Sequence, residues 1–191
     1  MKVVLASGSK WRKQVLEDAG VSCEAVASGV DERAIQIADP TRLARTLARL
    51  KAQAVAARRP DALVIGADQV AHLKGECFGK PADSDDHLRR LKQLRGRSHE
   101  LVTGVCVVSP GGEEEIVDVT TRVHFRGDLS DGDLRAYVAT GEGAGSAGGY
   151  EAEHRGAFLI ERIEGDWFNV IGLPLYTLIP MLSRRGWSPW T

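Results

Sequence analysis

The stretch VVLASGSKWRK, residues 3–13, places a short apolar run directly before a turn that is rich in hydroxyl groups and cations. The apolar run predicts a buried strand, and the amphipathic residues 15–18 predict that a helix follows the turn. Ser9 suits the N-cap of that helix, where free backbone N–H groups and the positive end of the dipole favour an anion. Further donors and charge come from the side chains of Ser7, Lys10, Arg12 and Lys13. The spacing of a P-loop is absent, so the stretch alone is also compatible with a capped helix that binds nothing.

The composition indicates a chain that can bury a core but has no overall field to attract nucleic acid. It has 191 residues and a formal net charge of −1. Cys23, Cys77 and Cys106 lie far apart without zinc-site spacing, and we expect reduced core cysteines in a cytoplasmic protein. No apolar run approaches the roughly 20 residues that a membrane span needs. We therefore expect one domain over residues 1–191 that binds neither a nucleic-acid polymer nor a membrane.

Strand and helix patterns alternate along the chain and predict a mixed α/β sheet. Apolar residues recur at helical spacing over residues 41–58, and residues 63–68 form an apolar run that ends in an acid. Lys74 and Gly75 separate two short strand patterns, as in a hairpin. The remaining predictions are helices at residues 84–94, 129–140 and 174–185, antiparallel strands at 101–108 and 116–125, a glycine-rich loop at 141–149 and a strand at 157–163.

Chemistry-bearing side chains fall at the predicted element ends and inside the first long helix. Glu32 and Asp68 together would suit Mg²⁺ or Mn²⁺, because hard carboxylate oxygens bind these ions and the ions bind phosphates. Lys51 and Lys80 would neutralise phosphate oxygens. Each residue taken singly also has an ordinary interpretation as a helix cap, a turn residue or a solvated charge.

Taken in order, the motifs resemble those of the Maf family of nucleoside triphosphate pyrophosphatases. The resemblance covers essentially the whole chain, and the ordered set is specific although each piece is weak. The matching segments are LASGS at residues 5–9 with Arg12, Asp31-Glu32, Lys51-Ala52, IGADQV at 65–70, GKP at 79–81, residues 95–104, AGGY at 147–150 and NVIGLPL at 169–175.

The resemblance implies hydrolysis of a nucleoside triphosphate between the α and β phosphates with a divalent cation. It also implies an α/β fold with a strongly twisted mixed sheet in two lobes around a cleft, as in inosine triphosphate pyrophosphatases, and a homodimer. By this resemblance Asp68 is the catalytic acid/base or a metal-positioning carboxylate, and Glu32 is a metal ligand. The residues that would bind the triphosphate are Ser7, Ser9, Arg12, Lys51 and Lys80.

Three positions resemble the branch of the family that acts on 7-methyl-GTP, namely Trp11, Gln69 and Glu153. A methylated guanine is a cation that gains from stacking on Trp11, and its N–H donors suit the carboxylate of Glu153. Gln69 would contact the base or the sugar from the other side. Residues 151–156 are more charged and longer than is usual for the family, so Glu151 competes with Glu153 for the base. Interior packing is the alternative role of Trp11.

Other functions stay open at this point. One is a dTTP/UTP pyrophosphatase of the same family, and another is a non-catalytic nucleotide-binding regulator of cell division. A cofactor enzyme such as a methyltransferase is disfavoured, because the glycine-rich residues 141–149 follow a helix and do not connect a first strand to a helix.

We predict that Asp68→Asn folds normally and loses activity by orders of magnitude. An amide neither takes a proton from water nor holds a cation as strongly as a carboxylate. Pyrophosphate release by the purified variant, with circular dichroism as the check of folding, measures the effect. Turnover near the wild-type value would remove Asp68 from the catalytic site.

Overall fold

The computed structural model describes residues 1–190, which form a seven-stranded mixed sheet with helices on both faces. The strands are β1 (Val3–Leu5), β2 (Glu24–Ala25), β3 (Leu63–Leu73), β4 (Glu76–Phe78), β5 (Ser98–Val108), β6 (Glu114–Phe125) and β7 (Ile160–Glu164). Their order is β2-β1-β3-β5-β6-β7, and β4 pairs with β3. β1 is parallel to β2 and β3, whereas the other pairs are antiparallel, so the predicted mixed α/β sheet is confirmed.

The helices are α1 (Lys10–Asp18), α2 (Pro40–Ala56), α3 (Ser84–Leu94), α4 (Asp131–Ala139), α5 (Trp167–Ile171) and α6 (Leu175–Ser183). Short 3₁₀ turns lie at Glu32–Ala34, Ala147–Gly149 and Arg155–Leu159. Within the described residues, no helix combines the length and the apolar character that crossing a membrane requires.

Several strand boundaries differ from the sequence prediction. β5 begins three residues and β6 two residues before the predicted strands. β3 does not end at Asp68 but continues to Leu73, because its pairing with β5 extends without interruption to His72. The strand predicted for residues 157–163 starts only at Ile160. Its first residues form a 3₁₀ turn, since β6 ends at Phe125, the partner of Ile160, and offers no further strand to pair with.

The expectation of three core cysteines is wrong for two of them. Cys106 is buried on β5, but Cys23 is only partly buried and Cys77 is exposed. β4 is an edge strand that pairs only with β3 among the described residues. Its side chains alternate between the two faces, so burial of Phe78 leaves Cys77 facing solvent.

The apolar core is divided along the length of β3. In its first half, Leu63 and Ile65 pack toward α1 and α6, and Val64 packs toward α2 on the opposite face. In its second half, Ala71 belongs to a separate cluster with residues of α3 and α4. Asp68 lies between the two regions along β3.

Two glycines allow α2 to lie very close to the sheet. A Cβ atom at Gly104 would collide with the carbonyl oxygen of Ala44, and one at Gly66 would collide with that of Ala48. Gly104 is also the β5 residue directly opposite Asp68. The close contact therefore brings the buried face of α2 against the part of β3 that carries Asp68.

We predict that Gly104→Ala destabilises the protein by about 1–3 kcal/mol or more, the usual cost of overpacking. The added methyl group must displace the backbone of α2. Denaturant unfolding gives the change in the free energy of unfolding. Gly111→Ala is the matched control, because a Cβ atom there meets nothing within 4 Å. Equal stability of the two variants would contradict the close packing of α2.

Candidate active site

The centre of the site is a lysine placed between two carboxylates. Lys51 Nζ lies 2.5 Å from Asp68 Oδ1 and 2.8 Å from Glu32 Oε1. Lys51 comes from the buried face of α2 and Asp68 from the middle of β3. Glu32 comes from a 3₁₀ turn whose N-cap, Asp31, accepts a hydrogen bond from the backbone of Arg33. The structure thus joins three of the residues that the sequence predicted for the site.

Burial is the largest influence on Asp68 and raises the pKa of its carboxyl group. The positive charges of Lys51 and Arg12 oppose this shift, and the negative charge of Glu32 adds to it. A buried carboxylate without a cation would be costly, so the ammonium group of Lys51 keeps Asp68 available in its ionised form.

The carboxylates of Glu32 and Asp68 fit a divalent cation whose other ligands are water molecules and substrate phosphates. Glu32 and Asp68 both reach one ammonium group, so both also reach a small cation at a similar position. The described part of the chain contains no group of three or more His, Cys, Asp or Glu side chains that could hold a metal. Mg²⁺ usually keeps several waters and binds through one or two carboxylates together with substrate phosphates.

The turn after β1 presents hydroxyl groups and a helix N-terminus beside this centre. Ser9 is the N-cap of α1, as predicted, and its Oγ accepts a hydrogen bond from the backbone N–H of Arg12. Ser7 Oγ accepts one from the backbone N–H of Ser9 at 3.1 Å. Ser7 is buried, so the turn is held in place by its own hydrogen bonds.

Arg12 connects this turn to two other segments. Its Nε donates to the carbonyl of Gly172 at 3.0 Å, and its Nη1 donates to the carbonyl of Ala67 at 2.9 Å. Burial lowers the pKa of the guanidinium group, against the attraction of Asp68 and Glu32. Nη2 has no hydrogen-bond partner among residues 1–190, which leaves one edge of the guanidinium group for an anion.

Lys80 does not join the group around Lys51. It is exposed and lies in the connection between β4 and α3. The described residues give it no ion pair, and no contact links it to Asp68 or Glu32. Its role in binding phosphate stays a prediction.

Trp11 lies against two basic side chains. Its ring centroid is 5.3 Å from that of His154, with the planes tilted by 60°. The ammonium group of Lys10 lies 4.6 Å from the centroid of the Trp11 ring. Trp11 is only partly buried, so interior packing does not account for its position. His154 had no signal in the sequence that marked it as a neighbour of Trp11.

Gln69 faces away from Asp68, as expected of successive residues in a strand. Its Nε2 donates to Thr103 Oγ1 at 3.0 Å and to the carbonyl of Asn169 at 2.6 Å. The side-chain amide is therefore engaged by the framework of the protein. Sequence reasoning missed Asn169 as a site neighbour, although it begins the quoted segment NVIGLPL.

The carboxylates of the loop after α4 differ in their partners. Glu142 accepts hydrogen bonds from Tyr137 Oη and from the backbone N–H of Gly156. Glu151 accepts one from Ser146 Oγ at 3.3 Å. Glu153 is bonded only to its own backbone N–H within the described chain, and burial raises the pKa of its carboxyl group. Of the two carboxylates that compete for the base, Glu153 is the one that accepts no hydrogen bond from another described residue.

Comparison with known proteins identifies relatives along nearly the whole chain. The model of the family described as Maf-like protein matches residues 2–185. A protein of Deinococcus radiodurans named dTTP/UTP pyrophosphatase is 45% identical over 187 residues, which are 98% of this chain and 94% of that protein. A protein of Synechococcus named nucleoside triphosphate pyrophosphatase is 45% identical over 188 residues, which are 97% of this chain and 95% of that protein.

Solved structures give a more distant likeness. A dITP/XTP pyrophosphatase of Mycobacterium abscessus is 19% identical with a TM-score of 0.42, and the match covers 68% of this chain and 76% of that chain. The Ham1 protein of Staphylococcus aureus is 15% identical with a TM-score of 0.44, with 66% and 73% of the two chains covered.

We predict a pH profile in which kcat/KM falls on the acid side at a pH above 3.8, the ordinary pKa of an aspartate. The ionised form of Asp68 is lost as the pH falls through its pKa, and burial raises that pKa. Lys51→Met removes the largest influence that lowers the pKa, so the acid limb should move to higher pH.

The shift is measured from the residual kcat/KM between pH 4 and 8. Where turnover is too slow, a ¹³C NMR titration of the Asp68 carboxyl group measures it. Lys92→Met is the control, because Lys92 pairs with Asp131 on α4. An acid limb that stays in place in Lys51→Met would contradict the coupling of Lys51 to Asp68.

Proposed function

The chain belongs to the Maf-like protein family and is a nucleoside triphosphate pyrophosphatase, and we propose that its substrates are dTTP and UTP. The observation that carries the catalytic part of this proposal is the buried pair of Asp68 and Lys51, joined by the exposed Glu32, beside the N-terminus of α1. It brings a base, a cation and a helix N-terminus that attracts phosphate together at one place in the fold.

In the proposed reaction Asp68 takes a proton from a water molecule that attacks the α phosphorus. A bond forms between phosphorus and the water oxygen, and the bond to the bridging oxygen breaks. The electron pair leaves with pyrophosphate, and the nucleoside monophosphate is the second product. A divalent cation held by Glu32 and Asp68 would supply positive charge at the phosphate oxygens.

The remaining polar groups of the site would hold the triphosphate. Lys51 can neutralise phosphate oxygens as well as the carboxylates that it contacts, since its ammonium group has three donors. The free edge of Arg12 and the N-terminus of α1 add donors that do not depend on the base. These contacts would therefore act alike on all nucleotides.

The surroundings of Trp11 support a pyrimidine base. Lys10 already places a cation against the Trp11 ring, and a cationic methylated guanine stacked on the same ring would be repelled by it. Seven relatives that are 38–45% identical are named dTTP/UTP pyrophosphatase, which agrees with these substrates.

The second candidate substrate is 7-methyl-GTP, which the sequence favoured. The observation that supports it is Glu153, whose carboxylate no other residue engages and which adjoins the His154 that packs on Trp11. Two N–H donors on one edge of guanine would suit such a carboxylate, whereas a pyrimidine offers no equivalent pair.

A nucleotide-binding regulator of cell division is supported less well, because the catalytic group of Asp68, Lys51 and Glu32 is complete. The single domain, the homodimer, the cytoplasmic location and the lack of nucleic-acid and membrane partners stay predictions.

We expect wild-type protein to hydrolyse dTTP and UTP with a higher kcat/KM than 7-methyl-GTP. Pyrophosphate release from a panel of dTTP, UTP, CTP, GTP and 7-methyl-GTP, each with Mg²⁺ and with Mn²⁺, tests this order. Lys10→Ala should raise the kcat/KM for 7-methyl-GTP several-fold relative to that for dTTP, because it removes the cation from the Trp11 ring. Lys13→Ala is the control, since Lys13 pairs with Glu17 on α1.

Faster hydrolysis of 7-methyl-GTP than of dTTP and UTP would overturn the pyrimidine proposal. Glu153→Gln should then weaken 7-methyl-GTP hydrolysis by about 1.5–3 kcal/mol, the usual loss for a charged hydrogen bond. Nucleotide binding without release of pyrophosphate from any nucleotide would favour the regulator.

A further inference from the structure

Asn169 is a fully buried amide that fastens the short helix α5 to the sheet. Its Nδ2 lies 3.1 Å from the carbonyl of Leu101, 3.2 Å from that of Val119 and 3.0 Å from Thr121 Oγ1. These acceptors belong to β5 and β6. The orientation of the amide is determined, because the opposite orientation would place its oxygen against two carbonyl oxygens.

Two main-chain carbonyls at this helix accept hydrogen bonds from the catalytic region. The carbonyl of Asn169 accepts from Gln69 Nε2 at 2.6 Å, and that of Gly172 accepts from Arg12 Nε at 3.0 Å. Arg12 in turn donates to the carbonyl of Ala67 at 2.9 Å. The two residues on either side of Asp68 are therefore both tied to the same five-residue helix and its C-cap.

A helix of five residues cannot hold its own position in water, so it depends on tertiary contacts. Asp166 caps its N-terminus by accepting from the backbone of Phe168 and Asn169. Gly172 ends it with a φ of 112°, in the left-handed region that favours glycine. Among the described residues of α5 itself, Asn169 makes the side-chain hydrogen bonds to β5 and β6.

We propose that Asn169 is a positioning residue that acts through α5 and Gln69 to hold Asp68 in place against Lys51. The inference rests on the proposed pyrophosphatase function, and it gives Gln69 a role besides base selection. Through its Nε2, Gln69 connects the strand that carries Asp68 to the carbonyl of Asn169. A displacement of about 1 Å at a reacting group can cost about 100-fold in rate, even when the cause is remote.

The kinetic test compares Asn169→Ala, Gln69→Ala and the control Arg185→Ala in the full chain. Arg185 is a matched control, because it also ties a helix to the sheet, through Ser109, Glu115 and the carbonyl of Met181. Asn169→Ala and Gln69→Ala should each lower kcat about tenfold or more and leave KM within about twofold. In Asn169→Ala the fall should be the same with dTTP and with 7-methyl-GTP, and the double variant should have a kcat little lower than that of the worse single variant.

Arg185→Ala should lower the melting temperature without this fall in kcat. Normal kcat in Asn169→Ala would overturn the proposal, and so would normal kcat in Gln69→Ala or an Asn169→Ala variant that changes the ratio between the two nucleotides. If Asn169→Ala does not fold, Gln69→Ala alone decides, because it removes the same link at a partly exposed residue.

Hydrogen exchange provides a readout that does not require activity. The amides of residues 66–70 should exchange faster in Asn169→Ala than in Arg185→Ala, because only the former loosens β3 beside Asp68. Equal exchange in the two variants would overturn the proposal. Absence of pyrophosphate release by the wild-type protein would overturn the proposed function alone and leave this exchange test in force.

Discussion

The ion pair between Lys51 and Asp68 is the interaction on which the rest of the site depends. Two buried charges are stable in a protein interior only when each compensates the other in good geometry. Here a second carboxylate, from Glu32, reaches the same ammonium group from a surface turn. Arg12 adds a second positive charge that acts on both carboxylates, so the charges of the site balance around Asp68.

This ion pair requires a helix that lies unusually close to a sheet. Gly66 and Gly104 remove the side chains that would otherwise keep α2 away from β3 and β5. Lys51 projects from the buried face of α2, where apolar residues such as Leu47 and Val55 are its neighbours at helical spacing. The ion pair therefore depends on the close packing of α2, because a more distant helix would separate Lys51 from Asp68.

The two faces of β3 make different contacts around Asp68. Asp68 faces α2, whereas Gln69 faces α5 and is tied to its backbone. Arg12 adds a second connection, from the turn after β1 to both Ala67 and Gly172. The residues that flank Asp68 are held from one face so that its carboxylate can be presented on the other. Successive side chains of a strand point to opposite faces, so neighbouring residues can contact different parts of the protein.

Much of the architecture was predictable from local pattern, because periodicity reports which side of an element is buried. The residues of α2, the β3–β4 hairpin and the Ser9 cap follow from it, and the order of the motifs indicated the family and the pairing of Asp68 with Glu32. Three features were not predictable from the sequence. They are the continuation of β3 past Asp68, the hydrogen bonds of Arg12 and Gln69 to α5 and its C-cap, and the contact of His154 with Trp11. They depend on which strands pair and on which segments meet across long stretches of chain, such as the 100 residues between Gln69 and Asn169. Local sequence carries no record of such partners, so only the folded chain could decide them.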